Sequence, residues 1–267
     1  LTRAPTKSPV RDRRRRTAPA PRAFTLIELL AVVAILSVLI SILAATLVKV
    51  RGASRSFVCR NKLRTVAFEF QRFADDFAPP DRGDSDRDGR PGFRVEDFQE
   101  RLYGIDEFWD GATRPVASFD AARQPLICPA GPGPVQRRIG VPCSGQAVIP
   151  LENVTIGLNM RLDRASVFLG RRPVLKPVRL TSGILDRPSV PVAFDVEGRT
   201  AAERGVLPYY SAPPAGDRGL YGTGQLWFPS TRHGGEVNAC FVGGHVLSSR
   251  SPETEPQWDW AYQPASE

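Results

Sequence analysis

An α+β protein is predicted, with one long N-terminal helix joined to an antiparallel, β-rich head, and three observations carry that reading. Residues 24–48 hold a single charge, Glu28. Residues 59–77 repeat large apolar side chains at helical spacing. Residues 115–250 break into short apolar runs separated by proline and glycine, which total 25 and 23 in the chain.

The first run is 25 residues long. As an α-helix rising about 1.5 Å per residue it extends roughly 37 Å, enough to cross a bilayer with some tilt. Ahead of it, residues 1–23 are rich in proline, arginine and alanine, lack an apolar period and read as a disordered basic leader. The cluster Arg11, Arg13, Arg14, Arg15, Arg16 and Arg22 is denser than Lys49 and Arg51 on the far side. The positive-inside rule therefore puts the leader in the cytoplasm and the body outside. Eight basic residues against Asp12 give residues 1–23 a net charge of +7, so the chain's +8 falls to +1 without them. A body this close to neutral has no basic excess for a phosphate backbone, which excludes a nucleic-acid binder.

The helix is expected to continue past the apolar run. Cys59, Leu63, Val66, Phe70, Phe73 and Phe77 alternate at spacings of four and three, with Arg60, Lys62, Arg64, Glu69 and Arg72 off that stripe. Pro79 and Pro80 end it. The expected segments are thus 1–23 leader, 24–48 membrane helix, 49–78 amphipathic helix and 79–267 head.

Within residues 81–95, Asp84, Asp86 and Asp88 stand at alternate positions before Gly89, as in a calcium loop. The twelfth loop position is Val95, so closure on a carboxylate falls to Glu96 or Asp97. Calcium on Asp84, Asp86, Asp88 and Glu96 stands against a solvated acidic turn countered by Arg82, Arg87 and Arg90. A short helix follows from Glu96 to Tyr103.

Strands are expected near residues 154–158, 174–180, 190–194 and 237–242. Cys128 and Cys143 bracket a proline- and glycine-rich loop, and a disulfide between them would contribute roughly 3 kcal/mol in an oxidising compartment. Cys59 and Cys240 sit in apolar settings and read as free core thiols. Val237, Ala239 and Phe241 alternate on one strand face, and Gly243-Gly244 turns that strand into a second. The chain's two histidines, His233 and His245, flank the hairpin without a carboxylate cluster beside them, so the hairpin reads as structural.

Two stretches resemble known families. Ala23-Phe24-Thr25-Leu26-Ile27-Glu28, between a basic leader and a long apolar run, resembles the type IV prepilin (class III) signal, with Ala23 where the family usually has glycine. The resemblance implies cleavage between Ala23 and Phe24 by a prepilin peptidase, methylation of the new Phe24 amine, and a role for Glu28 in assembly. It also implies a pilin-like fold, with other pilin or pseudopilin subunits and the inner membrane as partners. Residues 232–246 resemble the H-x9-D-G motif that ends many prepilin-like proteins, with Gly243 in place of the aspartate, followed by Gly244 and His245.

The chain has no G-x-S-x-G, phosphate-binding glycine loop or H-E-x-x-H, so an enzyme is not expected. The leading expectation is a structural subunit of a type IV pilus or a type II secretion-like filament. The alternative is a membrane-anchored periplasmic binding protein that uses the same signal without polymerising. Either is single-pass in the inner membrane, with its head periplasmic or, in a filament, extracellular.

Overall fold

A computed structural model describes residues 25–76, 92–103, 117–118, 127–137, 148–214 and 219–264. The chain divides into two compact units, residues 1–48 and 49–267. Helix α1 (Leu26–Asp76) runs through both.

In the first unit the helix is apolar around its whole circumference. Leu26, Ile27, Leu29, Leu30, Ile35, Leu39 and Ile42 are all exposed. Its few hydroxyls are satisfied by its own backbone: Ser37 Oγ donates to the Val33 carbonyl at 2.7 Å, and Ser41 Oγ to that of Ser37 at 2.7 Å. A helix with no unpaired polar group and no dry side to hide suits lipid rather than water. Among the described residues it is the one helix long and apolar enough to cross a membrane.

In the second unit α1 becomes one-sided. Cys59, Leu63, Val66, Phe70 and Phe73 of the stripe read from the sequence are buried, joined by Ala67 and Ala74; Phe77 and the two prolines lie outside the described residues. Helix α2 (Val95–Tyr103) begins where the Arg94 backbone N–H donates to Asp97, half of a capping box. It adds Phe98 to an aromatic cluster. Phe70 meets Phe93 and Phe98 edge-on, with ring centres 6.0 and 5.2 Å apart. Phe93 is fixed by a two-way backbone pairing with Leu180. Beside it, Gly92 adopts φ +98°, and a side chain there would strike the Leu180 carbonyl.

The remaining elements are strands and short turns. Strands β1 (Ala117–Ser118), β2 (Gln136–Arg137) and β3 (Val148–Ile149) form a small antiparallel sheet. Strands β5 (Arg164–Leu169) and β6 (Arg172–Pro177) form a separate hairpin with Phe168 and Leu169 exposed at its tip. The principal sheet comprises β4 (Ile156–Asn159), β7 (Pro191–Asp195), β8 (Tyr210–Ser211), β9 (Val237–Phe241) and β10 (Val246–Ser249). Its order is β10-β9-β7-β4-β8. Helix α3 (Gly198–Glu203) follows β7. Four strands pair antiparallel as expected; β8 departs from that expectation by running parallel to β4. That pairing requires a long crossover from β4, which β5, β6, β7 and α3 provide.

The central strands also differ from the simple alternation read in the sequence. Every residue of β4, β7 and β9 is buried, because the sheet is covered on both faces. On one face Phe194 and Phe241 meet a tryptophan layer: Trp227 and Trp260 lie 5.4 and 5.3 Å from Phe194, and Trp258 lies 5.1 Å from Phe241. Strand alternation puts Asp195 and Asn238 on the other face, toward the α1 residue Cys59.

Phe70 has no solvent exposure. Phe70→Ala is expected to lower the stability of the full chain in detergent by about 3–5 kcal/mol, through lost burial and the cavity left among the rings. Urea unfolding followed by tryptophan fluorescence measures it.

Candidate functional site

Two regions carry the motifs singled out by sequence. At the start of α1, Thr25 precedes the first helical residue and Glu28 is the third. The Thr25 backbone N–H and hydroxyl both donate to Glu28 Oε2, at 2.9 and 2.8 Å, and the Glu28 N–H donates back to Thr25 Oγ1 at 3.3 Å. This is a capping box: the pair satisfies helix-end donors that have no turn above them. Glu28 therefore has a local structural task as well as a charge. Ala23 and Phe24 lie outside the described residues.

The second region lies between α1 and the principal sheet. Cys59 is disulfide-bonded to Cys128, with their Cα atoms 5.2 Å apart. This corrects two readings: Cys128 pairs with Cys59 rather than Cys143, and Cys59 is not a free thiol. Cys143 itself lies outside the described residues. The physical reason is tertiary. Lys62 Nζ donates to the Ile127 carbonyl at 2.8 Å, and the Cys128 N–H donates to Thr155 Oγ1 at 2.8 Å. Those bonds hold residue 128 between the helix stripe and the end of β4. Cys240 is free and buried, its thiol pushed up to about 12 by burial, which makes it inert.

His233 reaches the same place. Its Nε2 lies 3.3 Å from Cys128 Sγ and 3.6 Å from Asp195 Oδ2. Asp195 Oδ2 accepts from the Asn238 backbone N–H at 3.0 Å and from its Nδ2 at 2.8 Å; Asn238 Oδ1 in turn accepts from Ser248. Arg232 donates to the carbonyls of Thr155 and Val196, at 2.8 and 2.6 Å. It stands 3.8 Å from Asp195 and 3.7 Å from Glu197. Burial and the neighbouring Arg232 lower His233 to about 4, keeping the imidazole neutral near pH 7. Burial dominates at Asp195 and raises it to about 6, against the pull of Arg232 and the Asn238 hydrogen bonds. Sulfur and carboxylate approach the same ring nitrogen. That is not the arrangement of a proton relay, which needs a partner on each nitrogen.

The two histidines do not converge. His245 is exposed and stacks on Phe241 with ring centres 4.6 Å apart. Between them the hairpin turns at Gly244, with φ +83°, and Gln71 of α1 donates to the Val242 carbonyl at 2.7 Å. Gly243 has no room for a side chain: a Cβ there would lie 2.9 Å from Pro188 Cβ and 3.0 Å from its carbonyl oxygen. That close approach accounts for glycine at the position where the resembling motif has aspartate.

Of the four calcium candidates, Asp84, Asp86 and Asp88 lie outside the described residues. Glu96 is engaged elsewhere, with Oε1 2.8 Å from Arg164 and Oε2 2.7 Å from Arg94. Next to this cluster is Asp163, whose Oδ2 lies 3.2 Å from Arg164 Nε. Burial first, and then the Glu96 charge, raise Asp163 to about 7 despite the two arginines.

With this geometry in place, the comparisons bear on the first region alone. The family described as the prokaryotic N-terminal methylation motif matches residues 20–44. The chain carries a prepilin-type signal. That match spans Ala23 and Phe24, the Thr25–Glu28 capping box and α1 as far as residue 44. It stops short of residues 232–246. Comparison with characterised proteins and with solved structures gives no match.

Sequence reasoning singled out His233 but missed its partners. Cys59 was visible as a stripe residue, and Asp195 as an acid ending an apolar run. Only the fold brings them together.

Two outcomes are expected. Gly243→Asp, which restores the motif residue, should lower stability by about 1–3 kcal/mol because Pro188 must move; thermal melts of the full chain test it. The raised Asp163 sets a pH dependence. The folded state holds this proton up to about pH 7 and the unfolded state releases it near 4, so the contribution declines as pH rises between those values. Asp163→Asn removes that loss, so its stability relative to the parent should climb from pH 4 to 7 and then level off. Urea titrations across that range read the difference.

Proposed function

We propose that this chain is a pilin-like or pseudopilin structural subunit, non-enzymatic, cut by a prepilin peptidase between Ala23 and Phe24 and methylated on Phe24. It then assembles through α1 into a type IV pilus or a type II secretion-like filament. The observation that carries this reading is the methylation motif over residues 20–44, which takes in the cap and the all-round apolar start of α1. Charge asymmetry around the span leaves residues 1–23 in the cytoplasm and the head in the periplasm, or outside the cell in a filament.

Glu28 is the proposed assembly residue. Cleavage creates a cationic amine on Phe24, one turn from this carboxylate. In a bundle of such helices the amine of an incoming subunit meets the Glu28 of its neighbour. Each charge alone costs a few kcal/mol in apolar surroundings, and pairing removes that cost. It also fixes the axial register, which a uniform run of leucine, isoleucine and valine does not.

The capping box supplies a clean test. Glu28→Gln keeps the cap and removes the charge, while Glu28→Leu removes both. Both variants should insert and be cleaved, with N-methyl-Phe24 found by mass spectrometry, and neither should cross-link to partner subunits. Wild-type cross-linking in both would sink the charge-pairing mechanism, and the membrane-anchored binding protein would then be the better reading. An intact leader on the parent chain would remove the pilin assignment itself.

A further inference from the structure

The ring of side chains around the Cys59–Cys128 bond is richer than a disulfide needs. Cys59 Sγ, Cys128 Sγ and His233 Nε2 all lie within 4.8 Å of one another, and all three residues are buried. Asp195 Oδ2 is 3.6 Å from the same Nε2, on the sheet face that α1 covers. We propose that in its dithiol form the chain holds a zinc-type divalent cation on Cys59, Cys128, His233 and Asp195.

The spacing carries the argument. Zinc bonds of about 2.3 Å to sulfur and 2.0–2.2 Å to nitrogen and oxygen, set tetrahedrally, put a sulfur about 3.6 Å from a nitrogen and a nitrogen about 3.4 Å from an oxygen. The cluster has 3.3 Å from Cys128 Sγ to His233 Nε2 and 3.6 Å from that nitrogen to Asp195 Oδ2. His233 Nε2 thus stands at metal-site separations from one sulfur and from the carboxylate, and Asp195 completes the set by closing on the two sulfurs. Opening the sulfur–sulfur bond, with two electrons and two protons taken from a thiol or phosphine reductant, leaves two thiols whose sulfurs complete the set.

Independent features of the surroundings point the same way. Asp195 is fully buried; its Oδ2 takes two hydrogen bonds, while its Oδ1 has none among the described residues, so the carboxylate keeps an oxygen open to a cation. Two Asn238 donors orient the carboxylate through Oδ2, as an outer shell orients a ligand. Two thiolates, one carboxylate and a divalent cation sum to a single negative charge. Arg232, 3.8 Å from Asp195 and held in place by two carbonyls, supplies the balancing positive charge.

From the dithiol onward the chemistry is ligand exchange. Each thiol gives its proton to solvent as its sulfur binds the cation, the metal keeps its oxidation state, and the imidazole binds through Nε2 with its proton on Nδ1. Metal and disulfide are alternative staples of the same two chain segments. The inference does not depend on the pilin reading, because all four residues lie outside the signal.

The test uses the full chain in detergent micelles, reduced with a phosphine and titrated with zinc chloride, then with cobalt chloride. One zinc per chain should survive desalting, and cobalt should show sulfur-to-metal charge transfer with the visible bands of tetrahedral coordination. His233→Ala and Asp195→Asn should each weaken zinc binding at least tenfold, and Cys143→Ser should leave it unchanged. A variant that misfolds does not decide the matter, because the parent chain gives its own readout. Zinc, but not magnesium, should slow alkylation of Cys59 and Cys128 at least tenfold, read by peptide mass. No bound zinc in the reduced parent, no protection of these two thiols, or loss of zinc with Cys143→Ser would each overturn the proposal.

Discussion

The bond between Cys59 and Cys128 fixes where the amphipathic part of α1 meets the head. It closes a loop spanning a sequence separation of 69 residues, long enough that chain entropy alone makes the link worth about 4 kcal/mol. Around it the head has assembled a buried polar region. Thr155 holds the Cys128 backbone, Arg232 clamps Thr155 and Val196, and Asn238 orients Asp195. A buried polar network tolerates few arrangements, so it also favours one docking position for the helix. The apolar stripe drives the burial, and the network sets the register.

This gives the residues of the C-terminal stretch distinct tasks. Arg232 ties the ends of β4 and β7, and His233 reaches the disulfide. Asn238 bridges to Asp195, Phe241 packs on Trp258, and Gly244 makes the turn. They are spread along the hairpin and serve both faces of the sheet, His233 and Asn238 on the side toward Cys59 and Phe241 on the tryptophan side. The position that departs from the resembling motif, Gly243, is also the one where Pro188 leaves no space. A single neighbouring residue accounts for the departure.

The two halves of α1 obey different solvents. Before residue 49 every side of the helix is apolar and its hydroxyls are bonded to its own carbonyls, which suits lipid. After it, one apolar stripe is buried, with phenylalanines from α1, α2 and the Phe93 segment packed along it, while Val50, Phe57 and Phe68 stay exposed off it. Glu28 belongs to neither pattern. The capping box explains how a carboxylate is tolerated at the start of an apolar helix, since it answers donors that would otherwise be unpaired.

The sequence by itself determined the elements whose cause is local. The long helix, its switch from all-round to one-sided, α2, and the hairpin at residues 237–249 all follow from hydrophobic period, charge placement and glycine. The prepilin-type signal is likewise a contiguous stretch, so it was readable before any folding was considered. The tertiary structure alone decided what depends on residues distant in the chain. The parallel placement of β8 beside β4 rests on a crossover of three strands and a helix. The choice of Cys59 as the partner of Cys128 rests on two hydrogen bonds, from Lys62 and to Thr155, that bring a loop onto a helix face. Nothing in residues 128–143 encodes that meeting. Cysteine spacing favoured the near partner because loop closure is entropically cheaper over a short distance, and the docked helix offset that cost with buried surface.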